Sequence, residues 1–394
     1  MERSVVALIP CDSYEEEKVY AAVCAGVKAV GGIGQFVQKG EKILLKPNLL
    51  LKAPPHKAVT THPAVFGAVA RLLKESGYEN VVYGDSPGSP AAAPEKAAET
   101  AGIKEAAEKW GAVHADFSGG SAVSFPQGKA CRSFYLCRGV QDADAVINVC
   151  KMKTHALARI TGAVKNLYGC IWSANKAAGH ARFPNADSFA EMLADLLACV
   201  HPRLHIMDGI TAMEGNGPTS GTPVNMNVLL FSKDPVALDS VFAALVDLKP
   251  ELVPTCVSAS QRGLGTMDEN GITVRTPDGD ITIAQAAEKY GKKDFNVFRG
   301  ELKKGLISKV IPLLPGMQDR PEADKNKCVA CGICQEACPV PGKAVHSGNG
   351  QKARYDYKKC IRCYCCQEMC PVKAISVHRS LYNRLFDRVR TEKK

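Results

Sequence analysis

No apolar run in the 394-residue sequence is long enough to cross a membrane as a helix. Such a helix needs about 20 apolar residues, and the best candidate, residues 19–33, is interrupted by Lys28 and by several glycines. The first residues also lack the apolar segment of a secretory signal peptide, because acidic side chains from Asp12 to Glu17 follow Ile9 closely. We therefore predict a cytoplasmic protein without a membrane span.

The sequence also lacks the glycine-rich motifs that bind nucleotides. It contains no Walker A motif, and Gly31, Gly32 and Gly34 do not complete the G-x-G-x-x-G fingerprint of dinucleotide-binding proteins. These glycines follow a helical pattern, whereas the fingerprint follows a strand. The absences argue against a P-loop enzyme and against a dinucleotide bound at a Rossmann turn.

Cysteine is abundant but unevenly distributed, since nine of the 17 cysteines lie between Cys328 and Cys370. In a chain without a secretion signal, such clustering is typical of metal ligation rather than of disulfide bonds. Two runs show the spacing C-x2-C-x2-C-x3-C-P, which is typical of ferredoxins with two 4Fe-4S clusters. The first run is Cys328, Cys331, Cys334 and Cys338, and the second is Cys360, Cys363, Cys366 and Cys370.

The fourth cysteine of each run is predicted to bind the cluster of the other run, as in two-cluster ferredoxins. One cluster then uses Cys328, Cys331, Cys334 and Cys370, and the other uses Cys360, Cys363, Cys366 and Cys338. The alternative is a pair of structural zinc sites, which usually have more widely separated C-x2-C pairs and no C-x3-C-P ending. Cys365 is out of register with the ligands and is predicted to be a packed or hydrogen-bonding neighbour.

The formal net charge is +10, from 50 lysines and arginines against 40 aspartates and glutamates. A cluster with four cysteine ligands carries about two negative charges when oxidised, so two clusters would leave the chain at roughly +6. The charge therefore does not require a nucleic-acid partner, and we predict none. The basic C-terminal residues are interpreted either as a docking segment for an acidic redox partner or as a solvated tail.

Residues 1–315 alternate short β-branched runs with alanine-rich stretches, as when parallel strands are joined by crossover helices. We predict an α/β domain with a mainly parallel sheet flanked by helices. A small α+β ferredoxin-like domain is predicted at 316–378, and a basic amphipathic helix or tail at 379–394. The predicted strands are Lys42–Leu45, Val81–Tyr83, Ala145–Val149, Leu204–Met207 and Val228–Phe231. The predicted helices include Ala64–Ser76, Pro94–Lys109 and Ser188–Val200.

Polar residues follow each of these five strands. Because ligands bind beyond the carboxyl ends of parallel strands, we predict that these residues form one polar rim. The predicted substrate-binding residues are Lys46, Asn48, Asp85, Ser86, Lys151, Thr154, Asn166, Asp208, Glu214 and Asn216. Lys233 and Asp234, after the fifth strand, are predicted to join the rim, with Asp234 also a candidate helix cap.

Lysines near the third strand predict that part of this rim binds an anion such as a carboxylate or phosphate. His155 is the candidate for proton transfer, because imidazole both gives and takes a proton near neutral pH. We predict His155, Lys153 and Lys165 as catalytic residues. The alternative is that the lysines are solvated, and that Asp85 and Asp208 only form turns.

Five segments of the large domain together resemble the family named domain of unknown function 362. The segments are KPN at Lys46–Asn48, GDSPG at Gly84–Gly88, KMKTH at Lys151–His155, TGAVKNLYG at Thr161–Gly169 and DGITAMEGNGP at Asp208–Pro218. The run CIRCYCCQEMCP at Cys360–Pro371 is typical of this family fused to a two-cluster ferredoxin. The resemblance implies an anaerobic iron-sulfur protein and names no reaction. The large domain also has a distant likeness to the nickel-pincer lactate racemase fold, whose ligands do not map onto residues of this sequence.

The sequence predicts an iron-sulfur reductase that passes electrons from a low-potential partner to an anionic small molecule at the rim. The partner would be a ferredoxin, a flavodoxin or a reductase, exchanging electrons in either direction. Two alternatives stay open: a non-catalytic electron carrier or redox-responsive binding protein, and an isomerase or transferase with purely structural clusters. Whether a further organic cofactor occupies the rim is also open.

Overall fold

The computed structural model of the chain describes residues 3–88, 93–300 and 318–380. The predicted domain boundary at 315 lies outside the described residues, and so does the predicted C-terminal helix from residue 381 onward. A large domain occupies 3–300, and a small domain occupies 318–380.

A ten-stranded sheet runs through the described part of the large domain, and a separate hairpin is formed by β5 and β6. The strands are β1 (Ser4–Pro10), β2 (Ile43–Lys46), β3 (Val81–Tyr83), β4 (Val113–His114), β5 (Gly120–Ser124), β6 (Ser133–Cys137), β7 (Ala145–His155), β8 (Arg159–Thr161), β9 (Leu204–Glu214), β10 (Thr222–Ser232), β11 (Ile272–Thr276) and β12 (Gly279–Ile281).

The order of the sheet is β12-β11-β1-β10-β9-β7-β2-β3-β4, with β8 paired to β7. The block β9-β7-β2-β3-β4 is parallel throughout, whereas β10 is antiparallel to both β9 and β1. This mixed, mostly parallel sheet confirms the predicted α/β class. Because β10 runs in the opposite direction, its end lies at the opposite edge of the sheet from the end of β9. The prediction that Lys233 and Asp234 join the rim is therefore wrong, and Asp234 instead caps a helix by accepting from the Val236 and Ala237 amides.

Helices cover both faces of the sheet. They are α1 (Glu16–Ala29), α2 (Pro63–Glu75), α3 (Pro94–Thr100), α4 (Ile103–Lys109), α5 (Arg138–Gln141), α6 (Ala163–Asn166), α7 (Ser173–Arg182), α8 (Ala186–Val200), α9 (Pro235–Leu245), α10 (Pro254–Gln261) and α11 (Ile283–Tyr290). Residues of α1, α2 and α4 share one apolar core, and residues of α8 to α11 share the other. Strand β1 shows the alternation, because Val6 and Leu8 enter one core while Ala7 and Ile9 enter the other.

Four predicted elements differ markedly in length from those observed. The strands predicted at Leu204–Met207 and Val228–Phe231 are the longer β9 (Leu204–Glu214) and β10 (Thr222–Ser232). The helix predicted over 94–109 is divided into α3 and α4 at Gly102, which has a φ of 71°. Strand β7 does not end at Val149 but continues to His155, and all of its residues are buried. The longer strand is stabilised by pairing with β9 on one side and β8 on the other, so its polar side chains lie inside the domain.

The small domain has the α+β composition predicted for a ferredoxin-like module. Its elements are β13 (Arg320–Ala323), α12 (Ile333–Glu336), β14 (Val345–Gly348), β15 (Gln351–Tyr355), α13 (Cys365–Glu368) and β16 (Ile375–His378). Strands β13 and β16 pair antiparallel, as do β14 and β15. Each short helix begins within one cysteine run, so the two halves of the domain repeat the same arrangement.

Replacing Gly169 with alanine tests the close packing of this glycine against the side chains of Asp85 and Lys46. A Cβ at this position would overlap Oδ1 of Asp85, which forms a buried ion pair of 2.9 Å with Lys46. Because an alanine must separate this pair, we expect the free energy of unfolding to fall by about 3 kcal/mol. Urea denaturation of anaerobically prepared protein measures the change. Gly119→Ala is the control, since its Cβ would meet no atom within 4 Å, and equal effects of the two substitutions would contradict the account.

Candidate functional site

A cavity of about 400 Å³ lies between the large domain and the ferredoxin-like domain. This volume suits a small-molecule ligand. The large domain contributes polar residues to its wall, namely Asn48, Asp85, Ser86, Lys153, His155, Thr161, Lys165, Asn166, Ser173, Lys176 and His180. The ferredoxin-like domain contributes Ile333, Glu336, Ala337, Cys365, Glu368 and Met369.

Seven of the predicted site residues line this cavity. They are the three predicted catalytic residues His155, Lys153 and Lys165, with Asn48, Asp85, Ser86 and Asn166. Asn48 and Asn166 are joined by a hydrogen bond of 2.7 Å between their side chains. The fold thus brings together residues that are up to 118 positions apart in the chain.

Lys151 and Asp208 do not line the cavity, although both were predicted to bind substrate. Nζ of Lys151 lies 2.6 Å from a carboxylate oxygen of Asp208, and both side chains are buried. The hydroxyl of Tyr14 donates to Asp208 and accepts from Lys151, which completes a closed network. The register of β7 against β9 shifts between Lys151 and Lys153, which accounts for the different surroundings of the two lysines.

Four further residues predicted to bind substrate form ion pairs or hydrogen bonds with other residues of the protein. Lys46 pairs with Asp85 beneath the cavity, and the Thr154 hydroxyl accepts from the Gly217 amide. Glu214 accepts from the Asn296 amide at 2.8 Å, and Asn216 donates to the Ile375 carbonyl at 3.0 Å. These residues follow or end strands as predicted, but none of the four lines the cavity, although Asp85, the partner of Lys46, does.

His155 is held in one orientation and one tautomer. Its Nδ1 accepts from the backbone amides of Leu157 and Ala158, at 3.1 and 3.2 Å. The ring proton is therefore on Nε2, which lies 3.0 Å from Oε1 of Glu368 in the ferredoxin-like domain. Burial lowers the pKa of His155, so the imidazole stays neutral. Nδ1 is fixed by the backbone and Nε2 faces the carboxylate, so the geometry makes His155 a positioning group for Glu368.

Lys165 presents an unpaired ammonium group to the cavity. Within the residues that the structure describes, its Nζ has neither a hydrogen bond nor an ion pair, and it lies 5.3 Å from the centre of the Tyr168 ring. Burial lowers the pKa of this lysine. Helix α6, which carries Lys165, is held by Asp239, whose carboxylate accepts from the Ala163 and Val164 amides at 2.6 and 3.1 Å.

Two other lysines of the cavity wall are hydrogen-bonded. Nζ of Lys153 donates to Oδ1 of Asn48 at 2.9 Å and to the Val59 carbonyl at 2.6 Å. Burial, together with the nearby charge of Lys165, lowers the pKa of Lys153 to about 7. Lys176 donates to the carbonyls of Ser86 and Pro87, and burial lowers its pKa to about 8.

Sequence reasoning missed Lys176 and His180, which lie four residues apart in α7 and both line the cavity. This spacing places both side chains on one face of the helix, and it is the sequence feature from which they could have been predicted to act together. The His180 ring stacks on Phe189 with centroids 4.5 Å apart, and burial lowers its pKa to about 3. His180 is therefore neutral, and its Nδ1 is buried without a hydrogen-bond partner among the described residues.

Glu368 and Cys365 were also missed as residues of this site. Cys365 is the first residue of α13 and Glu368 is its last, so both lie close in sequence to predicted cluster ligands. Both residues face the large domain. Burial acts to raise the pKa of Glu368, but the neighbouring His155 and Lys165 lower it to about 2. The carboxylate is therefore ionised and offsets part of the positive charge in the cavity.

Direct hydrogen bonds join the two domains beside the cavity. The Gln367 amide donates to the carbonyl and the side-chain oxygen of Asn216, both at 3.0 Å. The Thr219 hydroxyl donates to the Glu368 carbonyl at 2.9 Å. These contacts hold the peptide between Cys366 and Cys370 against the large domain.

The structure brings cysteines of the two runs together. One apolar pocket is lined by four cysteines drawn from both runs, namely Cys338, Cys360, Cys363 and Cys366. Backbone amides lie near other thiols, as from Ala374 to Sγ of Cys370 at 3.2 Å and from Ala353 to Sγ of Cys328 at 3.5 Å. Such donors stabilise cluster thiolates.

A single zinc ion fits these cysteines poorly. Tetrahedral zinc with bonds of 2.3 Å would hold its sulfur ligands about 3.8 Å apart. Among the described residues, no group of three or more His, Cys, Asp and Glu side chains converges in this way. A cubane holds its thiolates at separate corners and does not require such convergence.

No helix within the described residues is long and apolar enough to cross a membrane.

Residues 320–371 match the 4Fe-4S dicluster domain. The chain is therefore an iron-sulfur protein whose ferredoxin-like domain has an electron-transfer role. Residues 43–244, just over half of the chain, match the Domain of unknown function (DUF362), and the chain belongs to that family.

A thylakoid-associated protein of Synechocystis sp. is 36% identical over 260 residues, which cover 66% of this chain and 79% of that protein. Two solved structures are more distant. The lactate racemase apoprotein of Thermoanaerobacterium thermosaccharolyticum has 12% identity and a TM-score of 0.40, covering 61% of this chain and 57% of its own. A Thermotoga maritima protein has 13% identity and a TM-score of 0.33, covering 64% of this chain and 60% of its own. The match spans less than two thirds of either solved chain.

Metal analysis of anaerobically purified protein tests the cysteine assignment. We expect about eight irons and eight sulfides per chain, because each cubane contains four of each. Cys363→Ser should reduce the iron content or change the cluster signal in electron paramagnetic resonance spectra. Cys199→Ser is the matched control, since this half-buried thiol lies outside both runs. Stoichiometric zinc in place of iron would contradict the assignment.

Proposed function

We propose that this protein is an iron-sulfur oxidoreductase whose ferredoxin-like domain relays electrons to an anionic small molecule bound in the cavity. The observation that carries the proposal is that one cavity is shared by an unpaired lysine and by the peptide between cluster ligands. Lys165 lines one side, and Cys365, Glu368 and Met369 line the other. A ligand anchored at Lys165 would thus lie beside the iron-sulfur domain.

Two 4Fe-4S clusters are proposed, held by the two crossed ligand sets that the spacing predicts. The clusters would supply single electrons. Covalent fusion of the domains keeps the electron carrier close to the cavity at a high effective concentration, which supports a dedicated acceptor. A low-potential ferredoxin, flavodoxin or reductase remains the proposed external partner, and the cytoplasmic location remains a prediction.

The proposed roles of the predicted catalytic residues follow from their contacts. Lys165 binds the anionic group, because it is the lysine of the wall whose ammonium has no partner in the described residues. Lys153 is the proposed proton donor, since its pKa of about 7 allows it to give a proton near neutral pH. His155 orients Glu368. Asn48, Asp85, Ser86 and Asn166 remain proposed ligand contacts.

Lys165→Met tests the proposed anion site. Loss of a charge-assisted contact is expected to weaken ligand binding at least about tenfold. Anaerobically purified proteins would be denatured, and the released small molecules identified and quantified by mass spectrometry. We expect the wild-type protein and the control Lys104→Met, at an exposed lysine of α4, to release the same anionic compound, and Lys165→Met to release little. Equal release from all three proteins would contradict the assignment.

The pH dependence of turnover tests the role of Lys153. Its lowered pKa means that the protonated fraction falls as the pH rises through about 7. If Lys153 donates the proton, the rate should fall about tenfold per pH unit above that value. Lys153→Arg, which stays charged, should lack this alkaline limb. A limb that persists unchanged in the arginine variant would exclude Lys153 as its source.

A redox-responsive binding protein is the second candidate function. It is favoured by two hydrogen bonds to the large domain, one donated by the Gln367 amide to Asn216 and one accepted by the Glu368 carbonyl from Thr219, which connect the cluster peptide with the cavity. This function predicts that the affinity for the released compound changes when the clusters are reduced, while no product forms. Product formed with a low-potential electron donor would instead support the oxidoreductase.

A further inference from the structure

The two halves of the ferredoxin-like domain repeat one sequence pattern but differ in exposure. In the first half Cys331 is exposed, and it is the exposed cysteine of the described residues. Its counterpart in the second run, Cys363, is buried. Among the described residues, the first run is therefore the one whose predicted cluster has an exposed cysteine ligand at its edge.

Two exposed valines lie next to, or two residues from, cysteines predicted to bind the same cluster as this exposed thiol. Val329, beside Cys328, is 62% exposed, and Val372, close to Cys370, is 38% exposed. The segments that carry the two valines lie side by side, since the Asp324 amide donates to the Ala374 carbonyl at 2.7 Å. The equivalent residues of the second half, Ile361 and Val340, are only partly exposed. The asymmetry thus includes the apolar surface as well as the cysteine.

The border of this surface is basic. Lys325 and Lys327 are exposed in the turn that leads to Cys328, and the Lys327 ammonium lies 3.7 Å from the Asp324 carboxylate. Three of the domain's other carboxylates are engaged elsewhere: Glu322 with His378, Asp319 with Arg379, and Glu368 with His155. An apolar centre with a lysine border suits a partner with an acidic contact surface.

We propose that Lys325, Lys327, Val329, Cys331 and Val372 form the docking surface for a small, acidic electron-carrier protein. The proposal deepens the proposed electron-transfer role and rests on it. One electron passes from the reduced carrier to the oxidised cluster of the first run, so the carrier is oxidised and the cluster reduced, with no bond formed or broken. The second half is unsuited to the same contact, because Cys363, the counterpart of the exposed Cys331, is buried.

Charge reversal in the full-length, cluster-loaded protein tests the docking surface. Lys325→Glu with Lys327→Glu should lower the second-order rate constant for reduction by a reduced acidic flavodoxin at least tenfold at low ionic strength. The dependence on salt should also weaken, because steering charges have been removed. Reduction by dithionite, a small non-protein donor, should be unchanged. Stopped-flow absorbance of the clusters measures both rates without reference to any product, so the result is independent of the cavity's proposed reaction.

The second half supplies a matched control. Lys358 and Lys359 are exposed in the turn before Cys360, and Lys359 lies 3.6 Å from Asp356, as Lys327 does from Asp324. Lys358→Glu with Lys359→Glu changes the net charge by the same amount and should leave the flavodoxin rate within about twofold of wild type. Val329→Ser should slow reduction of the clusters by flavodoxin but not their reduction by dithionite. Equal slowing by the two charge-reversed pairs, or no slowing by either, would overturn the proposed docking surface.

Discussion

The contact between His155 and Glu368 is the constraint on which the site depends. It joins the end of the longest buried strand of the large domain to the short helix that carries a cluster ligand. Two backbone amides fix the imidazole, so the position of Glu368 is set by the large domain. Around this contact the Asn216 and Thr219 hydrogen bonds close the domain interface. The cavity is the space left between the two domains.

Burial of cationic groups defines the chemistry of that space. Lys153, Lys165 and Lys176 all have lowered pKa values because they are removed from water. Two of them are held by protein carbonyl or amide oxygens, whereas the third, Lys165, has neither a hydrogen bond nor an ion pair among the described residues. Such a lysine is costly unless an anion binds beside it. The same charge keeps Glu368 ionised, so the wall carries both signs next to the iron-sulfur domain.

Much of this arrangement could be predicted from sequence, since local patterns carry it. Cysteine spacing indicates the iron-sulfur domain, and polar residues after β2 and β3 indicate the edge of the sheet where the cavity lies. The remainder depends on tertiary structure. Lys151, Lys153 and His155 resemble a strand end because they are polar, yet the pairing of β7 with β8 and β9 keeps them within a strand. Because the register of β7 against β9 shifts at this point, Lys151 forms an ion pair with Asp208 whereas Lys153 lines the cavity. Glu368 could not be assigned, because its role arises only from docking of the second domain.

Reoxidation of the reduced clusters by a small molecule tests the central claim most directly. Protein reduced anaerobically with one equivalent of donor per cluster would be mixed with the anionic compound released from the wild-type protein, and the cluster absorbance followed. The account predicts rapid reoxidation in the wild-type protein and much slower reoxidation when Lys165 is replaced by methionine. Clusters that stay reduced in the wild-type protein, or that reoxidise equally fast in both proteins, would contradict electron transfer to an anion held at Lys165.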